Sequence, residues 1–136
     1  PGAALNSYED FAEVVRRFPE SDYAEDAARR MLYLRNNLAR HEIYVARYYM
    51  RRGAFLAAAN RAEYVVQNFQ RTPSLRDALE IMIDAYTELG MTDLAGDTQR
   101  VLALNEQSGA LIQDPQELVD QPIGARVWDF FGLDEN

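Results

Sequence analysis

A tyrosine, a glycine and an alanine recur with the same spacing at two places in this chain, 37 residues apart. The first set is Tyr49, Gly53 and Ala58, and the second is Tyr86, Gly90 and Ala95. Each glycine can adopt the backbone conformation that turns the chain between two helices, and each alanine lets two helices approach closely. The repeat therefore predicts paired helices that stack as similar units.

Helical periodicity extends over most of the chain. Apolar residues recur at helical spacing up to about residue 104, whereas no segment between turns alternates with the period of two that is typical of a strand. We therefore predict an all-α, tetratricopeptide-like helical-repeat solenoid of about five helices. The predicted helices cover about residues 5–18, 22–51, 55–69, 73–89 and 93–104. The helix over 22–51 is one long connecting helix, and Asn36-Asn37 is its weakest point because asparagine is a poor interior residue.

Signals for helix ends separate these segments. Proline lacks the N–H that an interior helical position needs, so Phe18-Pro19 ends the first helix. Ser21 or Asp22 can cap the long helix, and Glu25 can close a capping box with Asp22. Thr72-Pro73 combines an N-cap residue with a proline at the first helical position. Gly53 and Gly90 end the helices before them.

The charged residues are unusual in kind and in distribution. All 14 basic residues are arginine, and the chain has no cysteine, which excludes lysine Schiff bases, disulfides and thiolate metal sites. Arginine favours planar, bidentate pairing with carboxylates. Residues 1–104 hold 15 acidic and 13 basic residues, and residues 105–136 hold 7 and 1, so −2 and −6 give the net charge of −8. No basic stripe suited to phosphate binding is present, so nucleic acid is not expected as a partner.

The change in charge also marks a predicted domain boundary. Residues 1–104 form the repeat domain, and residues 105–136 form an acidic C-terminal tail. We expect 105–121 to be loose chain with at most one helical turn. Residues 122–136 hold Trp128, Phe130 and Phe131, and such aromatic surface is expected to dock, either over the open end of the last repeat or on another protein. The start at Pro1, without an initiator methionine, predicts a fragment or a trimmed mature product.

Catalytic and metal-binding patterns are missing from the sequence. His41 is the one histidine, and alone it cannot supply a metal site of the usual ligand number. Neighbouring acids such as Glu25 and Asp26 point about 100° apart on a helix, so they do not converge as an acid and a base. We therefore expect no enzymatic activity, no cofactor and no metal.

The helix over 55–69 carries the candidate binding site. Its core face is predicted to hold alanines and valines together with Phe69, which leaves a second face at positions i, i+3, i+4 and i+7. These four residues are Ala57, Asn60, Arg61 and Tyr64. Arginine and tyrosine are enriched at interface hot spots, so the face is either a contact stripe for a protein partner or an ordinary exposed surface.

Three segments resemble one known family. "FPESDYAEDAARRMLYLRNNLARHE", the helix ending in "YYMRRGAF", and "NRAEYVV" are similar to the C-terminal half of BamD, the lipoprotein of the β-barrel assembly machinery in Gram-negative outer membranes. The resemblance covers about residues 3–104. The sequence departs from the family by lacking the lipidated N-terminal cysteine and the first repeats, and by its acidic tail.

The resemblance implies a non-enzymatic scaffold at the periplasmic face of the outer membrane. Its partners would be a BamA POTRA domain and accessory lipoproteins, and its only membrane attachment a lipid anchor that this sequence lacks. The family's matching arginine region faces the barrel-proximal POTRA domain, which makes Arg61 the first residue to test. Reversing its charge is expected to weaken BamA binding with little change in melting temperature. The alternative is a generic tetratricopeptide adaptor that binds a peptide tail.

Overall fold

The computed structural model describes residues 13, 16–18, 21–109 and 111. Four helices lie within these residues, and none of the described residues is in a strand: α1 (Asp22–Arg51), α2 (Phe55–Asn68), α3 (Ser74–Glu88) and α4 (Thr92–Ser108). The all-α class is confirmed for that part of the chain. The helix predicted over 5–18 lies mostly outside it, although Glu13, Arg16 and Arg17 are helical. The number of five helices and the solenoid stay predictions.

The long helix has the predicted bounds, and the structure selects its cap. The backbone N–H of Ala24 donates to Ser21 Oγ at 3.0 Å, while the Ser21 hydroxyl donates to the carbonyl of Phe18 at 2.9 Å. Ser21 is thus the N-cap and Asp22 the first helical residue. Glu25 accepts a hydrogen bond from Arg29 at 2.9 Å, one turn further along the helix. The capping box predicted for Asp22 and Glu25 is therefore wrong.

The described residues divide into two compact units at Arg35 and Asn36, within α1. The helix itself continues through Asn36-Asn37 without a break. In the first unit, α1 buries small and apolar side chains: Ala24, Ala27, Ala28, Met31 and Leu32. In the second, one core cluster joins residues of all four helices, including Ala39, Ala46, Ala62, Ala85 and Ala95. In that second unit α3 packs between α2 and α4.

The repeated Tyr-x3-Gly motif is a helix-ending turn at both of its occurrences. Gly53 and Gly90 have φ values of +74° and +73°. At the first turn the N–H of Ala54 donates to the Tyr49 carbonyl at 2.9 Å, and Gly53 N–H donates to the Met50 carbonyl at 3.1 Å. This pair of bonds is the Schellman pattern, which satisfies the free carbonyls at a helix end.

The second copy repeats the same bonds at equivalent positions. Met91 N–H donates to the Tyr86 carbonyl at 2.9 Å, and Gly90 N–H donates to the Thr87 carbonyl at 3.1 Å. The alanines of the motif then donate the first backbone bonds of the next helix, Ala58 to Ala54 and Ala95 to Met91, each at 3.0 Å. The sequence repeat is thus a repeat of one turn, which confirms the role predicted for the glycines.

The turn between α2 and α3 differs from the prediction in its capping. The Thr72 hydroxyl donates to the Phe69 carbonyl at 2.7 Å, so it completes the end of α2. The Leu75 N–H at the start of α3 is satisfied by the Thr72 backbone carbonyl at 3.1 Å. Pro73 already has helical dihedral angles just before α3 begins at Ser74. Pro73 is therefore the N-cap residue of α3, and the predictions of Thr72 as N-cap and Pro73 as first helical residue are wrong.

The last helix runs further than its apolar pattern indicates. α4 continues to Ser108 and ends at Gly109, whose φ is +70°. Leu111 is then buried against Leu75 and Leu79 of α3. The four helical residues after 104 agree with the expectation of at most one helical turn there, whereas the buried Leu111 differs from the loose chain expected at that position. The rest of the tail, including Trp128, lies outside them, so its docking and the domain boundary stay predictions.

Candidate functional site

Helix α2 divides into a buried face and a partly exposed one, as predicted. Its fully buried residues are the small side chains Ala58, Ala59, Ala62 and Val65. These alanines occupy little volume, so the neighbouring helices of the close-packed core can approach this face. Because these residues form the buried face of α2, the side chains on its opposite face remain partly exposed to solvent.

The four candidate residues lie around one surface depression of about 370 Å³, together with Tyr49 of α1. We call Ala57, Asn60, Arg61 and Tyr64 the α2 stripe. Asn60 and Tyr64 are exposed, whereas Ala57 and Arg61 are half-buried. The helical spacing thus brings all four side chains to one place, with an aromatic ring, an amide and a guanidinium around a small alanine.

Arg61 is anchored by a carboxylate from the neighbouring helix. Its Nη1 donates to Glu42 Oε2 at 3.1 Å, and the side chain of Glu42 is 17% exposed whereas that of Arg61 is 42% exposed. The hydrogen bond and the charge of Glu42 raise the pKa of the Arg61 guanidinium above its ordinary value, and Tyr49 adds to this rise while burial opposes it. The pair fixes the orientation of the guanidinium. A guanidinium has five N–H donors, so others remain for a partner.

Tyr64 is positioned by an aromatic contact at the end of the same helix. Its ring meets the buried ring of Phe69 edge to face, with centroids 5.8 Å apart and planes at 64°. Such a pair is favourable because the positive edge of one ring faces the negative face of the other. One side of Tyr64 is therefore held by the core, while 43% of the residue remains exposed.

Sequence reasoning found the stripe but missed Glu42 and Tyr49. The two residues are seven apart on α1, which is close to two helical turns, so they share a face of that helix. That spacing can be read from the sequence. Which α1 face meets Arg61, however, depends on how the helices pack.

The described residues hold no group of three or more His, Cys, Asp and Glu side chains placed to bind a metal. None of their helices is both long enough and apolar enough to cross a membrane. The stripe itself combines a neutral amide, a phenol and a paired guanidinium. This chemistry suits the recognition of a partner's surface by hydrogen bonds and ring packing.

Comparison with known proteins gives a family match over most of the chain. The family model YfiO, described as an outer membrane lipoprotein, matches residues 1–102. The chain belongs to this family, that of BamD. An outer membrane protein assembly factor BamD from Neisseria meningitidis serogroup B is 43% identical over 122 residues, which are 90% of this chain and 46% of that protein.

Other BamD proteins give similar values. The one from Vibrio cholerae is 40% identical over 105 residues, covering 77% of this chain and 44% of the relative. The one from Xylella fastidiosa is 41% identical over 103 residues, covering 76% and 35%. The chain thus spans less than half the length of these BamD relatives. Residues 1–102 include the whole α2 stripe with Glu42 and Tyr49, so the candidate site lies inside the BamD-like region.

Proposed function

We propose that this chain is a non-enzymatic scaffold in outer-membrane protein assembly, and that its α2 stripe binds the barrel-proximal POTRA domain of BamA. Membership of the BamD family supports the process, because the relatives are named as outer membrane protein assembly factors. The role places the chain at the periplasmic face of the outer membrane of a Gram-negative bacterium. Accessory lipoproteins of the same machinery are further proposed partners.

One observation carries the choice of surface. Arg61 lies in the depression lined by the stripe, with its orientation set by Glu42 and with two-fifths of its side chain still exposed. A side chain that is held in place before binding loses less conformational freedom when the partner arrives. The exposed part of its planar fork can then take a carboxylate or a carbonyl of the partner in a defined geometry.

The sharpest test replaces Arg61 by a residue that keeps the positive charge but lacks the planar guanidinium group. Arg61→Lys retains a cation for Glu42 but cannot make bidentate contacts. Its matched control is Arg76→Lys, because Arg76 also pairs with a glutamate of another helix, Glu106, at 2.7 Å, away from the stripe. Calorimetric titration with the isolated POTRA domain should show Kd rising about tenfold for Arg61→Lys, or about 1.4 kcal/mol. The control should stay within about twofold.

A complex that forms with equal affinity for Arg61→Lys and the parent contradicts the stripe as the contact. A capture experiment from detergent-solubilised envelope tests the function more broadly. Enrichment of a large β-barrel protein with POTRA domains supports the assembly role. Capture of soluble peptides alone contradicts it and favours the generic adaptor.

A further inference from the structure

A second surface of the same unit carries a charge opposite to that of the chain. Residues of α1 and Asp77 of α3 line a groove of about 450 Å³ that does not include the α2 stripe. Its charged side chains include Arg40, Arg47 and Arg51, against the one carboxylate of Asp77. Three arginines and one aspartate leave two uncompensated positive charges in a chain whose net charge is −8.

The arginines of the groove differ in their pairing. Arg47 Nη2 lies 3.3 Å from Asp77 Oδ1, and this ion pair joins α1 to α3 within the groove. Arg40 and Arg51 are exposed, and neither has an ion-pair partner among the described residues. These two guanidinium groups therefore keep their donors available. They are eleven residues apart along α1, and both line the groove.

An exposed aromatic ring lies between the two free arginines. Tyr44 is 65% exposed, and the buried side chain of Ile43 also contributes to the lining. Arg40, Tyr44, Arg47 and Arg51 follow each other at steps of four, three and four residues, so they form one stripe along the helix. The groove thus offers cation, ring and cation in order.

We propose that this groove binds a short acidic segment of a partner protein, with two carboxylates that flank an apolar side chain. Eleven residues of α1 rise about 16 Å at 1.5 Å per residue. An extended peptide advances about 3.3 Å per residue, so side chains four positions apart lie about 13 Å apart on one side. That separation is within reach of both arginine side chains, and the residue midway faces Tyr44.

The charge balance favours a peptide over a polyanion. A nucleic acid or an anionic bilayer carries many charges and is repelled by the net charge of −8 at long range. A diacidic segment needs only the two arginines that the groove leaves unpaired. Each guanidinium can donate two parallel hydrogen bonds to one carboxylate, which a lysine ammonium could not do in the same planar geometry. The groove shares no lining residue with the α2 stripe.

The test uses two peptides and the full ¹⁵N-labelled chain. Acetyl-Asp-Ala-Leu-Ala-Asp-amide is the ligand, and acetyl-Asn-Ala-Leu-Ala-Asn-amide is its uncharged match. In NMR titrations the diacid should bind at least about fivefold more tightly than the diamide. Each exposed ion pair between an arginine and a peptide carboxylate contributes a modest amount to the binding free energy. The largest shift changes should fall on the backbone amides of residues 37–51 and of Asp77.

Two double variants locate the effect. Arg40→Gln/Arg51→Gln should weaken diacid binding at least about fivefold. Arg29→Gln/Arg30→Gln removes the same charge from the same helix outside the groove, and should change binding less than about twofold. Equal losses in both variants, or shift changes spread evenly over the chain, would overturn the proposal. So would absence of diacid binding combined with sedimentation on phosphatidylglycerol vesicles that depends on Arg40 and Arg51, since the ligand would then be a lipid surface.

Discussion

At Arg61 the fold already uses part of the arginine's bonding capacity, and this changes what a substitution reports. The sequence suggested an exposed cation whose charge could be reversed with little change in melting temperature. The structure places Glu42 Oε2 3.1 Å from its Nη1, in a partly buried setting. A reversed charge would face this carboxylate inside the molecule as well as any carboxylate of a partner. The ion pair therefore leads us to replace the expectation of little change in melting temperature with a predicted loss of stability.

We predict that Arg61→Glu lowers the free energy of unfolding by about 1–2 kcal/mol, because it replaces an ion pair with two like charges. Urea denaturation followed by circular dichroism measures the change. The charge swap Arg61→Glu/Glu42→Arg should recover at least about half of the loss. A single variant as stable as the parent would show that the pair contributes nothing to the fold.

Tyr86 gives the fold a pH dependence at the alkaline end. Burial raises the pKa of its hydroxyl, and the charge of Glu63 adds to the rise. Below the ordinary tyrosine pKa of about 10, both the folded and the unfolded states hold the proton. Above it the unfolded state releases the proton first. Stability from this group is therefore complete below about pH 10 and is lost as pH rises toward the folded-state pKa.

Tyr86→Phe should reduce the loss of stability that the parent shows as pH rises above about 10. Between pH 10 and 11 the parent's free energy of unfolding should fall more steeply than that of the variant, by at most about 1.4 kcal/mol per pH unit. Urea unfolding at a series of pH values gives the two slopes. Tyr44→Phe, which removes an exposed hydroxyl, serves as the control and should follow the parent. Parallel curves for the parent and Tyr86→Phe contradict the assignment.

At the scale of elements, the Tyr-x3-Gly turn recurs because two helices end with the same need for hydrogen-bond donors to their last carbonyls. The chain must reverse after α1 and again after α3, and each reversal leaves carbonyls without helical partners. A glycine with positive φ lets its own N–H and that of the following residue turn back onto those carbonyls. Apart from the adjoining residues of the chain, no atom of the described residues would lie within 4 Å of a Cβ at Gly53 or Gly90. The constraint at both positions is thus the backbone angle and not the available space.

Gly53→Val and Gly90→Val should each destabilise the chain by about 1–3 kcal/mol through this angle. Gly96 provides a control of opposite sign, because it lies inside α4 with an ordinary helical angle and only Arg100 Nη1 near its Cβ position, at 3.8 Å. Gly96→Ala should therefore stabilise by about 0.5–1 kcal/mol. Thermal denaturation measures the stability of all three variants. Valine variants with the melting temperature of the parent would contradict the requirement for positive φ at Gly53 and Gly90.

At the scale of the whole molecule, contacts between distant segments hold the second unit together. Its described inter-helix ion pairs join an arginine to a carboxylate: Arg47 to Asp77, Arg61 to Glu42, and Arg76 to Glu106. Leu111 adds an apolar contact to α3 from beyond the end of α4. The chain after Gly109 is therefore part of this unit's packing at Leu111.

Leu111→Ala should lower the free energy of unfolding by about 1.5–3 kcal/mol, because the side chain is buried against Leu75 and Leu79. Leu104→Ala is the matched control, since Leu104 is 65% exposed on the same part of the chain. It should change stability by less than about 0.5 kcal/mol. Equal effects in urea denaturation would mean that Leu111 is not part of the core.

The sequence by itself determined the features that depend on near neighbours along the chain. The bounds of α1, the two glycine turns and the buried alanines of α2 follow from helical periodicity and from glycine's access to positive φ. The α2 stripe followed in the same way, because positions 57, 60, 61 and 64 share a helix face once the core positions are assigned. Each of these inferences needs information from within about two helical turns along the chain.

Only the tertiary structure decided which faces meet. Glu42 and Arg61 are 19 residues apart, and their pairing depends on the side on which α1 contacts α2. Leu111 is buried against Leu75 and Leu79, which lie more than 30 residues earlier in the chain. Its burial therefore cannot be predicted from the residues next to it. The same holds for the groove of Arg40 and Arg51, where Asp77 of α3 pairs with Arg47 and leaves its neighbours unpaired. Helix propensity is local, whereas the pairing of charges and the burial of an isolated leucine are set by packing between segments that the sequence separates.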